Sequence, residues 1–259
     1  MGSISDYLEN ALLDHVLGTA SYTQPTIYVG LSTADPTDAG SGDTEPTYTA
    51  YARVAHSAWD AAASRATENT GTITFPQKAD GSSETITHFT IYDASSGGNM
   101  LAHGAFTTQK TIVVNNTPTI ADGELDVSVT TGGMTTYLAN ALLEHVFEGT
   151  AYTQDTLYVA LSTTDPGDSG TQTGEPSGNN YSRVAHSAWD SAASGASENT
   201  GTISFPTPSG SWGLCAYHFI ADASTSGNAL LYGALDQSQT PDNGDTVQYA
   251  DGALDITLD

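Results

Sequence analysis

Two lysines and three arginines are all the strongly basic residues in this chain of 259, set against 30 aspartates and glutamates for a formal charge of −25. Binding a phosphate backbone requires clustered cations that release counterions, so nucleic acid is excluded as a partner, and so is an anionic membrane surface. Cysteine is scarcer still. Cys215 stands alone, which rules out an intrachain disulfide and the paired spacing of a cysteine zinc site. No apolar run approaches the ~18 residues of a membrane span. The opening Met1-Gly-Ser-Ile-Ser-Asp6 lacks the basic and then apolar pattern of a secretory signal. These absences predict a soluble product of the cytoplasm which, if it works outside, leaves on a particle or by lysis.

Catalytic signatures are missing as well. There is no Gly-x-Ser-x-Gly elbow, no HExxH pair and no glycine-rich phosphate loop ending in lysine. With 30 carboxylates some pair will always match glycosidase spacing, so acid pairs carry no information here. The expectation is a protein that is not an enzyme and needs no cofactor.

What the chain does have is itself, twice. Tyr7-Leu8-Glu9-Asn10-Ala11-Leu12-Leu13-Asp14-His15-Val16 returns as Tyr137-Leu138-Ala139-Asn140-Ala141-Leu142-Leu143-Glu144-His145-Val146. Arg53-Val-Ala-His-Ser-Ala-Trp-Asp60 returns unchanged as Arg183 to Asp190. The register is 130 residues from Tyr7/Tyr137 to Phe89/Phe219 and 129 from Asp93/Asp222 onward. A period this long exceeds that of stacked solenoids and gives each copy the size of a domain. The expected domains are residues 1–130 and 134–259, with a linker at about 130–133.

Each copy opens on a helix signal. Ser5 is placed to cap a segment whose Leu8, Ala11, Leu12, Val16 and Leu17 recur at three- and four-residue spacing, and Thr135 or Thr136 opens its counterpart. Alternating branched and aromatic residues then predict strands at 26–32, 51–58, 70–75, 85–92, 100–106, 111–114 and 124–129. Most recur in the second copy, but Gln239 to Asp242 replaces the strand at 111–114. Short strands separated by Gly, Pro, Asp and Asn clusters describe a mainly β protein. It would be two tandem antiparallel β-sandwich or jelly-roll-like domains, each with one N-terminal α-helix.

Three histidines, His15, His56 and His88, have counterparts at His145, His186 and His218. Their settings favour hydrogen bonding within a packed unit over a metal or acid–base site. Arg53 and Arg183 form the basic pair shared by both copies, and each is expected to hold a carboxylate bidentately, within the unit or across a subunit contact. Trp59 and Trp189 follow six residues on, as core residues or as interface anchors. Asp35 and Asp38, with Asp165 and Asp168, offer hard oxygen ligands suited to Ca²⁺, or are solvated acidic turns.

The motifs together carry a resemblance. The opening Ser-Asp-Tyr-Leu-Glu-Asn-Ala-Leu-Leu-Asp-His, the strand Ile27-Tyr-Val-Gly-Leu-Ser-Thr-Ala-Asp-Pro36 and the Tyr-x-Arg-Val-Ala run belong to it. So do the Asn-Thr-Gly-Thr-Ile-x-Phe-Pro run, the His-Phe strand with its Asp-Ala-x-x-x-Gly-Asn turn, and the closing Asp251-Gly-Ala-Leu-Asp-Ile-Thr-Leu-Asp259. The chain resembles the small "phage tail fiber protein" family of tailed-virus virion proteins, nearly end to end and in tandem. The first copy departs at Gln77 to Thr85, where the second has Ser209-Gly-Ser-Trp-Gly213. The resemblance implies a structural protein on the virion exterior, either a head decoration or turret or a tail fibre, stabilising the particle or contacting the host surface. Implied partners are further copies (a trimer, pentamer or hexamer), the major capsid protein or tail, and a host glycan or surface-layer protein. A virion-associated polysaccharide hydrolase is the alternative. The acidic, lysine-poor composition adds the expectation of a salt-loving, archaeal host and of salt-dependent stability.

Overall fold

A computed structural model of the chain describes residues 2–129 and 133–258. The expected linker therefore lies mostly outside the described residues. The protein is mainly β, and it divides into two compact units.

Unit 1 contains Met1–Glu9, Thr23–Thr130 and Asn140–Tyr152. Its strands are β1 (Gly2–Ile4), β2 (Tyr28–Ser32), β3 (Val54–Ala55), β4 (Ala66–Glu68), β5 (Ile73–Thr74), β6 (Glu84–Tyr92), β7 (Met100–Ile112), β8 (Thr119–Ile120) and β9 (Asp126–Ser128). Seven form one sheet in the order β3-β2-β6-β7-β1-β9-β4, while β5 and β8 pair separately. All pairs are antiparallel except β1 with β9. Apolar side chains of the strands fill the core: Val29 and Leu31 on β2, Ile86, Phe89 and Ile91 on β6, and Val127 on β9 are all buried. Each such side chain contributes about 1.5–3 kcal/mol on leaving water.

Several sequence expectations change here. The segment 100–106 runs on without a break into 111–112, because β7 continues to Ile112 opposite β6 across a bulge between Ile86 and His88, while Val113 and Val114 lie beyond its end and are exposed. The stretches 51–58 and 70–75 keep only two residues of strand each, Val54–Ala55 against β2 and Ile73–Thr74 against β8. Strand β1 carried no alternation long enough to be seen in the sequence.

Unit 2 contains Asn10–Tyr22, Thr131–Ala139 and Thr153–Asp259. Its strands are β10 (Tyr158–Ser162), β11 (Val184–Ala185), β12 (Ala196–Glu198), β13 (Ile203–Ser204), β14 (Cys215–Ala221), β15 (Ala229–Gln239), β16 (Gln248–Tyr249) and β17 (Asp255–Thr257). They pair as β11-β10-β14-β15, β12-β17 and β13-β16. The path of β1 is kept in outline: Gly133 N–H donates to Thr257 O, and Met134 bridges Leu231.

Helix α1 (Asp6–Leu17) opens on Ser5, whose buried hydroxyl accepts the Leu8 N–H at 3.3 Å. Helix α2 (Thr136–Leu143) opens likewise on Thr135, not Thr136, with the Leu138 N–H at 3.3 Å. The helices then diverge. Gly18-Thr-Ala20 matches Gly149-Thr-Ala151, so Glu148 is one residue inserted, compensated by the loss of a match for Ser21. The insertion is absorbed by a single π turn, Glu144–Glu148, which closes on Gly149 at φ 77°. Beyond it the geometry is regained: His15 Nδ1 accepts the Tyr22 N–H at 3.3 Å and His145 Nδ1 accepts that of Tyr152 at 3.2 Å.

Candidate functional site

In both units the shared arginine lies under an exposed turn. In unit 1, Tyr51 accepts the Leu31 N–H at 2.8 Å and donates to Glu45 Oε1 at 3.1 Å. Arg53 Nε donates to the same carboxylate at 2.9 Å. Its Nη1 reaches the carbonyls of Ala94 at 3.2 Å and Gly97 at 2.7 Å, and its guanidinium stacks 3.3 Å from the Tyr92 ring centroid. In unit 2, Arg183 grips Glu175 bidentately, through Nε at 2.8 Å and Nη2 at 2.7 Å. Nη2 also donates to Gln172 Oε1 at 2.9 Å, and Nη1 donates to Ala223 O and Ser226 O, both at 2.8 Å.

These arginines hold turns whose sequence does the rest. Asp93 takes the Asn99 N–H at 2.7 Å and its side-chain amide at 2.8 Å, and Asp222 takes both from Asn228 at 2.7 Å. Gly98 and Gly227 sit at φ 73° and 67°, where a Cβ would lie 2.3 Å from that aspartate's Oδ1. The residues between, 95–99 and 224–228, are exposed. Two solvent-facing turns of nearly neutral polar chemistry thus stand on arginine–glutamate pairs, the one in unit 2 more deeply buried than the one in unit 1. Burial pushes the Tyr51 and Tyr181 hydroxyls well above the usual tyrosine range, which keeps them neutral hydrogen-bond donors to the glutamates.

The tryptophans belong to another part of each unit. Trp59 is buried in unit 1, its ring 4.7 Å from Phe147 and 5.5 Å from His56, while Trp189 packs edge-on to His186 at 4.9 Å. Neither indole N–H donates to a protein acceptor among the described residues. Asp38 receives His103 Nε2 at 2.8 Å and Ser3 at 3.2 Å, and Asp168 receives the Tyr232 hydroxyl at 2.7 Å. Asp35 and Asp165 close Asx turns on the Thr37 and Gly167 N–H groups at 3.0 and 2.9 Å. Among the described residues no group of three or more His, Cys, Asp or Glu is placed to hold a metal ion. His218 is buried, which pulls its imidazole down to about 4, and burial pushes the Cys215 thiol up to about 11.

The loop where the copies differ in sequence also differs in chemistry. In unit 2, Trp212 packs edge-on to Tyr181 at 5.1 Å and donates to Asn179 O at 2.9 Å. In unit 1, Tyr48 occupies that place against Tyr51 at 5.6 Å. Lys78 lies 4.8 Å over the Tyr48 ring and pairs with Glu84, whose Oε1 also takes the Thr47 N–H at 2.7 Å. Glu84 is held below the usual carboxylate range because these bonds outweigh its desolvation. Sequence reading missed the Lys78–Glu84 pair; the only signal on offer was that Lys78 is one of just two lysines in the chain.

A search of curated proteins returns no match. A family model described as "Podophage GP4 fiber I protein gp80" matches twice, over residues 3–128 and 133–257, and the two matches follow the duplication. The chain belongs to this family of phage fibre proteins.

Proposed function

We propose that this protein is a structural component of the exterior of a tailed-virus particle, a fibre or a head decoration or turret, and not an enzyme. The family match over both copies carries the reading. The chemistry of the duplicated cluster supports it. Arginine, glutamate and tyrosine are consumed in fixing the turns 93–99 and 222–228, which leaves exposed serine, threonine, glycine and asparagine as a contact surface. In this reading the chain assembles as a homo-oligomer on the major capsid protein or tail, and duplication doubles the number of turns per subunit. Weak contacts of each turn with a host glycan or surface-layer protein then add through multivalency. The net charge of −25 keeps particles apart and suits a virus of a salt-loving host.

Immunogold labelling of purified virions with an antibody to this chain tests the proposal. Label over the head makes it a decoration or turret protein, and label on the tail makes it a fibre. Absence of label from intact particles overturns an exterior role. Reducing ends released from host exopolysaccharide by the purified protein would make it a hydrolase instead.

A further inference from the structure

The two copies in the sequence and the two compact units in space do not coincide. Unit 1 includes Asn140–Tyr152, which belongs to the second copy, and unit 2 includes Asn10–Tyr22, which belongs to the first. The contacts are reciprocal. Within unit 2, Asn10 Oδ1 accepts the Gly195 N–H at 3.0 Å and Asp14 Oδ1 accepts the Ala192 N–H at 2.7 Å. Within unit 1, Asn140 Oδ1 accepts the Arg65 N–H at 2.8 Å, and the carboxylate that bonds the Ala62 backbone is the inserted Glu148. Asn10 and Asn140, at equivalent positions, thus serve the same loop of the other copy, 191–195 or 61–65, while its second backbone contact comes from Asp14 in one unit and from the inserted Glu148 in the other. That loop needs them: Ser64 and Arg65 in one copy, and Ser194 and Gly195 in the other, have positive φ, which turns backbone N–H groups out of any strand ladder. Apolar burial follows the same exchange, with Trp59 of the first copy packed on Phe147 of the second.

We propose that the repeat is an exchange module: residues 10–22 of the first copy complete the fold of the second, and residues 140–152 of the second complete that of the first. The natural partner of this helix is another copy of the repeat, and gene duplication has joined a reciprocally exchanged pair into one chain. The sequence insertion at Glu148 fits this, because the π turn that accommodates it keeps a carboxylate within reach of the 61–65 loop.

The test uses the full chain with a protease site inserted after residue 131. After cleavage the two halves co-elute as one species of the uncut size in native buffer and separate only in denaturant. Halves that elute separately after cleavage overturn the proposal. A second measurement excludes simple adhesion of two finished domains. In the intact chain, Asp14→Ala lowers hydrogen-exchange protection of the Ala192 amide by about tenfold, while the Ala62 amide is unchanged. Equal protection of Ala192 in the variant and the parent overturns the assignment of α1 to the second copy's loop.

Discussion

Replacing Arg183 with methionine removes a guanidinium whose side chain is 2% exposed and leaves Glu175, at 18%, without its bidentate partner. It also strips donors from Gln172, Ala223 and Ser226. Breaking a buried pair from one side costs about 3–5 kcal/mol, because the remaining charge is left desolvated. Arg53→Met is a built-in comparison. Its partner Glu45 is 34% exposed and water can take over part of the solvation, so the cost falls to about 1–2 kcal/mol. Urea unfolding at pH 7 and fixed salt, followed by tyrosine and tryptophan fluorescence, reads both. The double variant Arg183→Met with Glu175→Met regains about half of the loss, since the unpaired carboxylate is gone while the turn carbonyls stay undonated. A loss below about 1 kcal/mol for Arg183→Met, or one no larger than for Arg53→Met, refutes the view that the buried cluster supports the turn.

Three further outcomes follow from the same structure. His218 is neutral when folded, because its value drops from 6.5 to about 4 on burial, so the unfolded chain takes up the proton first. Stability is full above pH 6.5 and falls by about 3 kcal/mol as the pH approaches 4, a loss that His218→Gln blunts in acid-unfolding curves. His56, also lowered by burial, acts in the same direction. With a charge of −25, unfolding midpoints rise between 0.1 and about 3 M NaCl as self-repulsion is screened, and a flat profile removes the halophilic reading. Cys215, buried and with a thiol pushed up to about 11, resists iodoacetamide in the native protein and reacts fully in urea, as mass spectrometry will show.

Much of this was legible before any coordinates. The apolar spacing of Leu8, Leu12 and Val16 after Ser5 marks a capped helix, since a 3.6-residue period and an N-cap are both local properties. Alternation at Tyr28–Ser32 and Glu84–Tyr92 marks strands for the same reason, and the repeated Arg before Val-Ala pointed to a carboxylate partner. The identity of that partner was not local: Glu45 and Glu175 lie eight residues away on a loop, and the turn carbonyls lie about 40 residues away. The substitution of Tyr48 and Lys78 for the work of Trp212 was likewise hidden, because space filled in a core can be filled from any point in the chain.

The sequence by itself determined that there are two copies, that each is β-rich behind one helix, and that the chain carries a formal charge of −25. All of these follow from short-range pattern and composition. Only the tertiary structure decided which copy each helix completes. Asn10 and Asn140 sit in nearly identical words, so a helix of one copy meets the loop of either copy with the same side chains, and only packing in three dimensions selects between them.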